Sequence, residues 1–332
     1  MSNIKQQKKG EKRMKQLEEL RNVLREELKK IGKEDYFEDV AKEWLESKKK
    51  KIKKSTYFNY EYKIYKYLMP TFYKYKVRKL KKFDYAEFVE MLEEEYESKT
   101  IRDILNVLKA ILKYANNKYN YQIKYENIEL PKLENKKLKI LTKRERNKIE
   151  KYCIKENSLK SIGILICLNT GMRIGELCAL KWENIDFSER TISINHTLQR
   201  VYSQKDKKSK VIIDKPKTDS SIRVIPMSNK LYEILKVIKK EYNPESFLLT
   251  GKEDKYIEPR TFQNSYKEML KLLKIKPYKF HILRHTFATE CVEVGMDIKS
   301  LSEILGHSDI NITLNRYVHS SYKMKKKYLE KL

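Results

Sequence analysis

A chain of 332 residues with 40% apolar and 36% charged side chains is long enough to bury more than one core, and its net charge of +28 makes it a polycation. No run of about eighteen uncharged apolar residues occurs, and the opening MSNIKQQKKGEKRMKQ has no apolar centre, so a membrane span and a secretion signal are excluded and a cytoplasmic location is expected. Cys153, Cys167, Cys178 and Cys291 are scattered without CxxC pairs, which argues against a disulfide or zinc framework and for buried thiols in a reducing compartment. A lysine surplus can be merely solubilising, but the commonest partner of such a field is nucleic acid.

In chain order, Leu17, Leu20, Leu24, Leu28 and Ile31 are spaced by threes and fours and predict an amphipathic helix within a basic extension, residues 1–35. Residues 36–125 read as an all-helical bundle. Tyr36, Phe37, Val40, Ala41, Trp44 and Leu45 line a first helix. Ser55 is expected to cap a second, ended by Pro70; a third covers Asp84–Tyr96; Ser98 is expected to cap a fourth, where Ile101, Ile104, Leu105, Leu108, Ile111 and Leu112 form one stripe. Lysines alternate with tyrosines over 48–82. The lysines can neutralise phosphates, and the tyrosines, recurring at helical spacing, are mostly core and rim.

Residues 126–139, polar and holding Pro131, are expected as a linker, and Thr142 as the cap of the next helix. From 140 to 332 the pattern is mixed. Helices are predicted near 143–155, 158–169, 173–181, 229–241, 260–273, 281–294, 298–306 and 311–316, with strands at Thr191–Tyr202, Lys210–Asp214 and Ile222–Pro226. The fold class is therefore α+β and mostly helical: a bundle, then a mixed domain with a small antiparallel sheet and a basic tail.

Five segments of the second half can carry chemistry. In TGMRIGELCALKW, Arg173 opens a helix and can aim its fork at an anion, although pairing with Glu176 three residues on is the plainer reading. In KPKTDSSIRVIPM, Lys217 occupies a strand turn from which it can reach a groove; one lysine among so many is a weak signal. In HILRHTFAT, His281, Arg284 and His285 share a helical face. Two histidines four apart suggest a metal, but the arginine between them and the lack of an acidic ligand suit a phosphate better. His307, in LGHSDINIT, reads alone as a turn histidine, and Tyr317, in LNRYVHSSY, as packing.

The order of these segments is more specific than any one of them. TGMRIGEL, K-T-x-x-S-x-R-x-I-P, H-x-L-R-H-T-F-A-T, L-G-H and N-R-Y-V-H together resemble the catalytic set of the tyrosine recombinase (phage integrase) family. The resemblance is close over 140–319 and extends in outline to 36–125, which looks like the family's SAM-like core-binding domain. Residues 1–35 lack a recognisable arm-binding domain.

The resemblance implies a site-specific recombinase that forms a 3′-phosphotyrosine on Tyr317 without a metal or other cofactor. Arg173 and Arg284 would clamp the phosphate, His281 and His307 would complete the clamp, and Lys217 would protonate the departing 5′ oxygen. Glu176 and His285 would support them from behind. His281 is the candidate to move the Tyr317 proton, and Tyr322, in a tail-like context, is the rival nucleophile. The implied partners are double-stranded DNA, further copies of the chain as a dimer and tetramer around DNA, and a directionality factor. An integrase of a phage or mobile element is the leading reading; a chromosome-dimer resolvase or relaxing topoisomerase, and a catalytically silent DNA-binding protein, are the alternatives.

Overall fold

Apolar stripes and end signals of the sequence become helices in the computed structural model, which describes residues 36–133, 138–203, 208–214, 221–239, 242–317 and 330. The helix expected at 12–32, Lys217 with its turn, His319 and the tail with Tyr322 lie outside the described residues. The chain divides into two compact units, Met1–Glu134 and Asn135–Leu332.

The first unit is helical. Helix α1 spans Phe37–Lys48, α2 opens at Lys54–Lys63, α3 is Tyr85–Glu95 and α4 is Ser98–Tyr119. The α4 stripe is buried along its length, from Ile101 through Ile104, Leu105, Leu108 and Ile111 to Ala115. Each of its isoleucine and leucine side chains contributes about 1.5–3 kcal/mol by leaving water. Phe72 anchors the other side, with ring centroids 4.9 Å from Phe83, 4.9 Å from Phe88 and 5.3 Å from Phe37. Tyrosines of the lysine-rich stretch, Tyr57, Tyr60, Tyr65 and Tyr67, pack half-buried on this core, while Tyr73 and Tyr75 stay exposed.

Three end signals of this unit act differently from expectation. Pro70 does not end α2, which runs on through a π-helical turn, Ile64–Leu68, and a last turn, Met69–Phe72. The Met69 N–H reaches back five residues to the Ile64 carbonyl. That widened turn lies where the proline ring would otherwise strike a carbonyl and where its missing N–H would leave a gap. Ser55 and Ser98 lie inside their helices, whose caps are Lys53 and Glu97 without side-chain bonds. Asp84 does cap α3, accepting from the backbone of Ala86 and Glu87. The start of the expected linker also packs here: Ile128 is buried, and Lys109 of α4 donates to the carbonyls of Glu126 and Ile128.

In the second unit, Thr142 caps α5 (Lys143–Glu156) through a reciprocal pairing with Glu145. The central helix α6 (Leu159–Thr170) is apolar on every side and nearly all buried. Short α7 (Ile174–Cys178) follows at once. Strands β1 (Ile185–Asp186), β2 (Thr191–Ile194) and β5 (Arg223–Pro226) make an antiparallel sheet in the order β1-β2-β5, with Ile192 opposite Ile225. The strand expected at Thr191–Tyr202 is interrupted at Asn195–His196. Its second half, β3 (Thr197–Ser203), pairs instead with β4 (Lys208–Asp214) in a separate ribbon. Helices α8 (Asn229–Lys239), α9 (Pro259–Leu272), α10 (Ile282–Glu293), α11 (Ile298–Leu305) and α12 (Ile310–Tyr317) complete the unit. All four cysteines are buried and free. No described helix is long and apolar enough to cross a membrane.

Candidate active site

Three helix ends converge in the second unit. Helix α6 stops at Gly171, whose φ of +65° is a left-handed conformation that side chains rarely adopt. Helix α11 stops the same way at Gly306, φ +64°. Helix α10 begins just after His281. The two C-terminal ends turn backbone carbonyls, the negative poles of their helices, toward one small region.

Arginines fill that region. Arg284, 2% exposed, donates to the carbonyls of Gly171 (2.9 Å) and Leu305 (2.8 Å). Arg173, the residue before α7, donates to the Gly306 carbonyl at 2.9 Å and pairs with Glu176 at 2.7 Å. Arg223 of β5 donates to the Ile304 carbonyl at 2.6 Å and grips both carboxylate oxygens of Glu176, at 3.1 and 2.9 Å. A side chain on Gly306 would come within 3.1 Å of the Arg223 guanidinium, so this close approach is a second reason for glycine there.

The charge balance follows from these contacts. Glu176 is the carboxylate that serves Arg173 and Arg223; its burial favours protonation, but the bonds and charges of the two arginines win and hold its pKa below the usual value. The hydrogen bonds of Arg284 go to carbonyls and to His307, neutral groups, and burial pushes its pKa down to about 9, which leaves it charged at neutral pH. Arg173, Arg223 and Arg284 thus share one buried carboxylate, Glu176, and a cluster left with surplus positive charge is a seat for an anion.

The histidines set the rest. Arg284 Nη2 lies 2.8 Å from His307 Nε2, and His307 Nδ1 lies 2.8 Å from Oγ1 of the fully buried Thr313. A guanidinium only donates, so Nε2 accepts, the ring proton sits on Nδ1, and it is donated to Thr313. Burial, then the nearby Arg284 and Arg173, push the His307 pKa down to about 3. Tyr317, buried at the end of α12, stacks on the His307 ring at 6.4 Å between centroids, and its hydroxyl lies 2.9 Å from His285 Nδ1. Burial raises the Tyr317 pKa, while Arg284 and Arg316, both near the phenol, pull it back. The His285 pKa falls to about 4 through burial and then Arg316 and Arg284. His281, open to solvent yet tightly crowded, meets the edge of the His285 ring at 4.6 Å; crowding and then His285 and Arg284 push its pKa to about 3.

Arg173, Glu176, His281, Arg284, His285, His307 and Tyr317 are therefore brought together, and Lys217 lies outside the described residues. Two features escaped the sequence reading. Arg223 stands in the K-T-x-x-S-x-R-x-I-P segment with nothing local to mark it, and its burial depends on Glu176, 47 positions away. The histidine on the Tyr317 hydroxyl is His285, with His281 one ring further along. Among the described residues no group of three or more His, Cys, Asp or Glu side chains is placed to hold a metal ion.

Comparison with known proteins meets the same reading. Residues 134–324 match the phage integrase family, and residues 36–92 match the phage integrase N-terminal SAM-like domain. The chain belongs to the phage integrase family of tyrosine recombinases, enzymes that cleave and rejoin DNA. Among its relatives is a XerC-like tyrosine recombinase of Caldanaerobacter subterraneus subsp. tengcongensis, 29% identical over 89% of this chain and 82% of that protein. The transposase of transposon Tn916 from Enterococcus faecalis is 30% identical over 70% of this chain and 62% of the relative. In fold, the chain is similar to the Tn1549 transposon integrase solved with a circular intermediate DNA: TM-score 0.71, 22% identity, 90% of this chain and 99% of that one.

Proposed function

We propose that the protein is the integrase of a mobile element, and that the arginine cluster of its second unit holds the scissile phosphate of double-stranded DNA for attack by Tyr317. The observation that carries this reading is Arg284, a buried guanidinium without a carboxylate of its own, close to a buried phenol. Attack builds negative charge on the nonbridging oxygens of the phosphate, and fixed guanidinium groups stabilise that charge without reorganising. Arg173 and Arg284 form the clamp; His281 and His307 line it; Glu176 and Arg223 hold Arg173 in place. Lys217 delivers a proton to the departing 5′ oxygen, and the covalent 3′-phosphotyrosine keeps the bond energy for rejoining to another strand.

On this reading residues 36–125 are a core-binding domain, 126–139 a linker and 140–332 the catalytic domain, with 1–35 an added basic arm. The enzyme works in the cytoplasm on DNA, as dimers that pair into a tetramer, and a directionality factor chooses between insertion and excision. Relatives from Tn916 and from the Bacillus subtilis element ICEBs1 support the mobile-element role. The XerC-like relative favours chromosome-dimer resolution as the second reading, and attachment-like repeats beside the gene would decide for the element.

A nicked suicide substrate carrying the element's end tests the chemistry. The wild-type protein will form a covalent adduct with the DNA and Tyr317→Phe will form none; equal adduct from both would overturn the assignment. Binding will weaken with salt, with a log–log slope of about −0.9 for each phosphate neutralised.

A further inference from the structure

A phenol must lose its proton to attack phosphorus, and the geometry around Tyr317 points to the group that receives it. We propose that His285 is a further catalytic residue: its Nδ1, 2.9 Å from the Tyr317 hydroxyl, is the base that takes the phenolic proton during strand cleavage. The inference rests on Tyr317 being the nucleophile.

The neighbouring groups compete poorly for this role. His307 faces Tyr317 ring to ring, and both its nitrogens are committed, Nδ1 to Thr313 and Nε2 to Arg284. His281 meets His285 edge-on and stands one ring further from the phenol. Arg284 and Arg316, close to Tyr317, carry positive charge and cannot accept a proton. His285 alone among these rings presents a nitrogen to the hydroxyl oxygen, within the reach that proton transfer requires.

The step balances. The Tyr317 oxygen forms its bond to phosphorus while its proton moves to His285 Nδ1. The bond from phosphorus to the 5′ oxygen breaks, and the 5′ oxygen takes a proton from Lys217 or water. Rejoining runs the same path backwards, with the His285 imidazolium returning the proton to the leaving tyrosine.

The charges that face His285 also give the step a trigger. Burial, then Arg316 on α12 and Arg284 on its own helix, disfavour an imidazolium, and His281 beside it adds no negative charge. In the free protein, therefore, His285 is a weak base. A phosphate seated against Arg284 brings a negative charge into the same small volume and raises the proton affinity of His285. The nucleophile is thereby activated when DNA is in place and left protonated when it is not.

Single-turnover cleavage of the nicked substrate across pH 6–10 tests this, using wild type, His285→Gln and His285→Ala. His285→Gln can keep a hydrogen bond to Tyr317 but cannot take its proton. It is expected to bind the DNA as wild type does, to cleave roughly a hundredfold more slowly at pH 7, and to recover steadily toward pH 10 as the phenol ionises unaided. Added imidazole is expected to restore part of the His285→Ala rate at neutral pH. A wild-type rate in His285→Gln, or a loss that is the same at every pH and unmoved by imidazole, would overturn the proposal. Adduct from Tyr317→Phe would instead remove the reading on which it rests.

Discussion

The two units bury different kinds of side chain. Among the described residues, the helical bundle buries one charged group, Glu61, beneath a core of Leu, Ile, Val and aromatic rings. The second unit buries Glu150, Glu176, Arg223 and Arg284, and sets its two buried arginines against helix ends that contribute carbonyls. A core built for stability alone has no use for a guanidinium without a carboxylate partner in direct contact, which is costly to take out of water. The bundle is thus a packed scaffold, whereas the second unit gives up stability to hold buried positive charge, which the proposed phosphate clamp requires.

That contrast can be broken first at Glu176. Glu176→Ala leaves Arg223 buried without its carboxylate and is expected to cost about 3–5 kcal/mol. Hydrogen exchange on the full chain will show the loss across residues 138–317 and leave the bundle unchanged; equal loss in both units would erase the distinction. In the bundle, Ile128→Ala removes a buried side chain from a stretch expected as linker and should cost about 2–5 kcal/mol, read as a lower unfolding midpoint in urea. A neutral result would return Ile128 to the linker.

Acid separates the units next. All five histidines lie in the second half of the chain, and His285 and His307 have pKa values of about 4 and 3 in the folded state. The unfolded chain takes up protons below about pH 6.5, and the folded site resists them until near pH 4. Stability is therefore independent of these groups above pH 6.5 and falls as the pH drops toward 4, by about 2–3 kcal/mol from His285. Segment-resolved exchange at pH 4.5 against pH 7 will find the loss in the second unit. The smallest effect is at Asp84: Asp84→Ala removes the cap of α3 and should cost about 1 kcal/mol, confined to the bundle.

Local signals carried much of this structure into the sequence. The α4 stripe, the Thr142 cap and the glycine stops at 171 and 306 are short-range patterns, and each appears as a helix or a helix end. The exceptions are long-range. Pro70 reads as a stop until the π turn before it accommodates the ring. Ile128 looks like one apolar residue in a polar stretch until α4 supplies a surface for it. Arg223 sits among lysines and hydroxyls, and only the fold sets it on Glu176. His281 and His285 share a helical face, so periodicity cannot choose between them; the course of α12, which carries Tyr317, does.

The most direct measurement is the site of the covalent bond itself. The adduct formed on the suicide substrate, trimmed with nuclease and digested with trypsin, will yield a peptide beginning after Arg316 that contains both Tyr317 and Tyr322. Fragmentation of that peptide will place the nucleotide mass on Tyr317. A nucleotide on Tyr322, or on any peptide from elsewhere in the chain, would contradict the assignment of the arginine cluster and its buried phenol as the cleavage site.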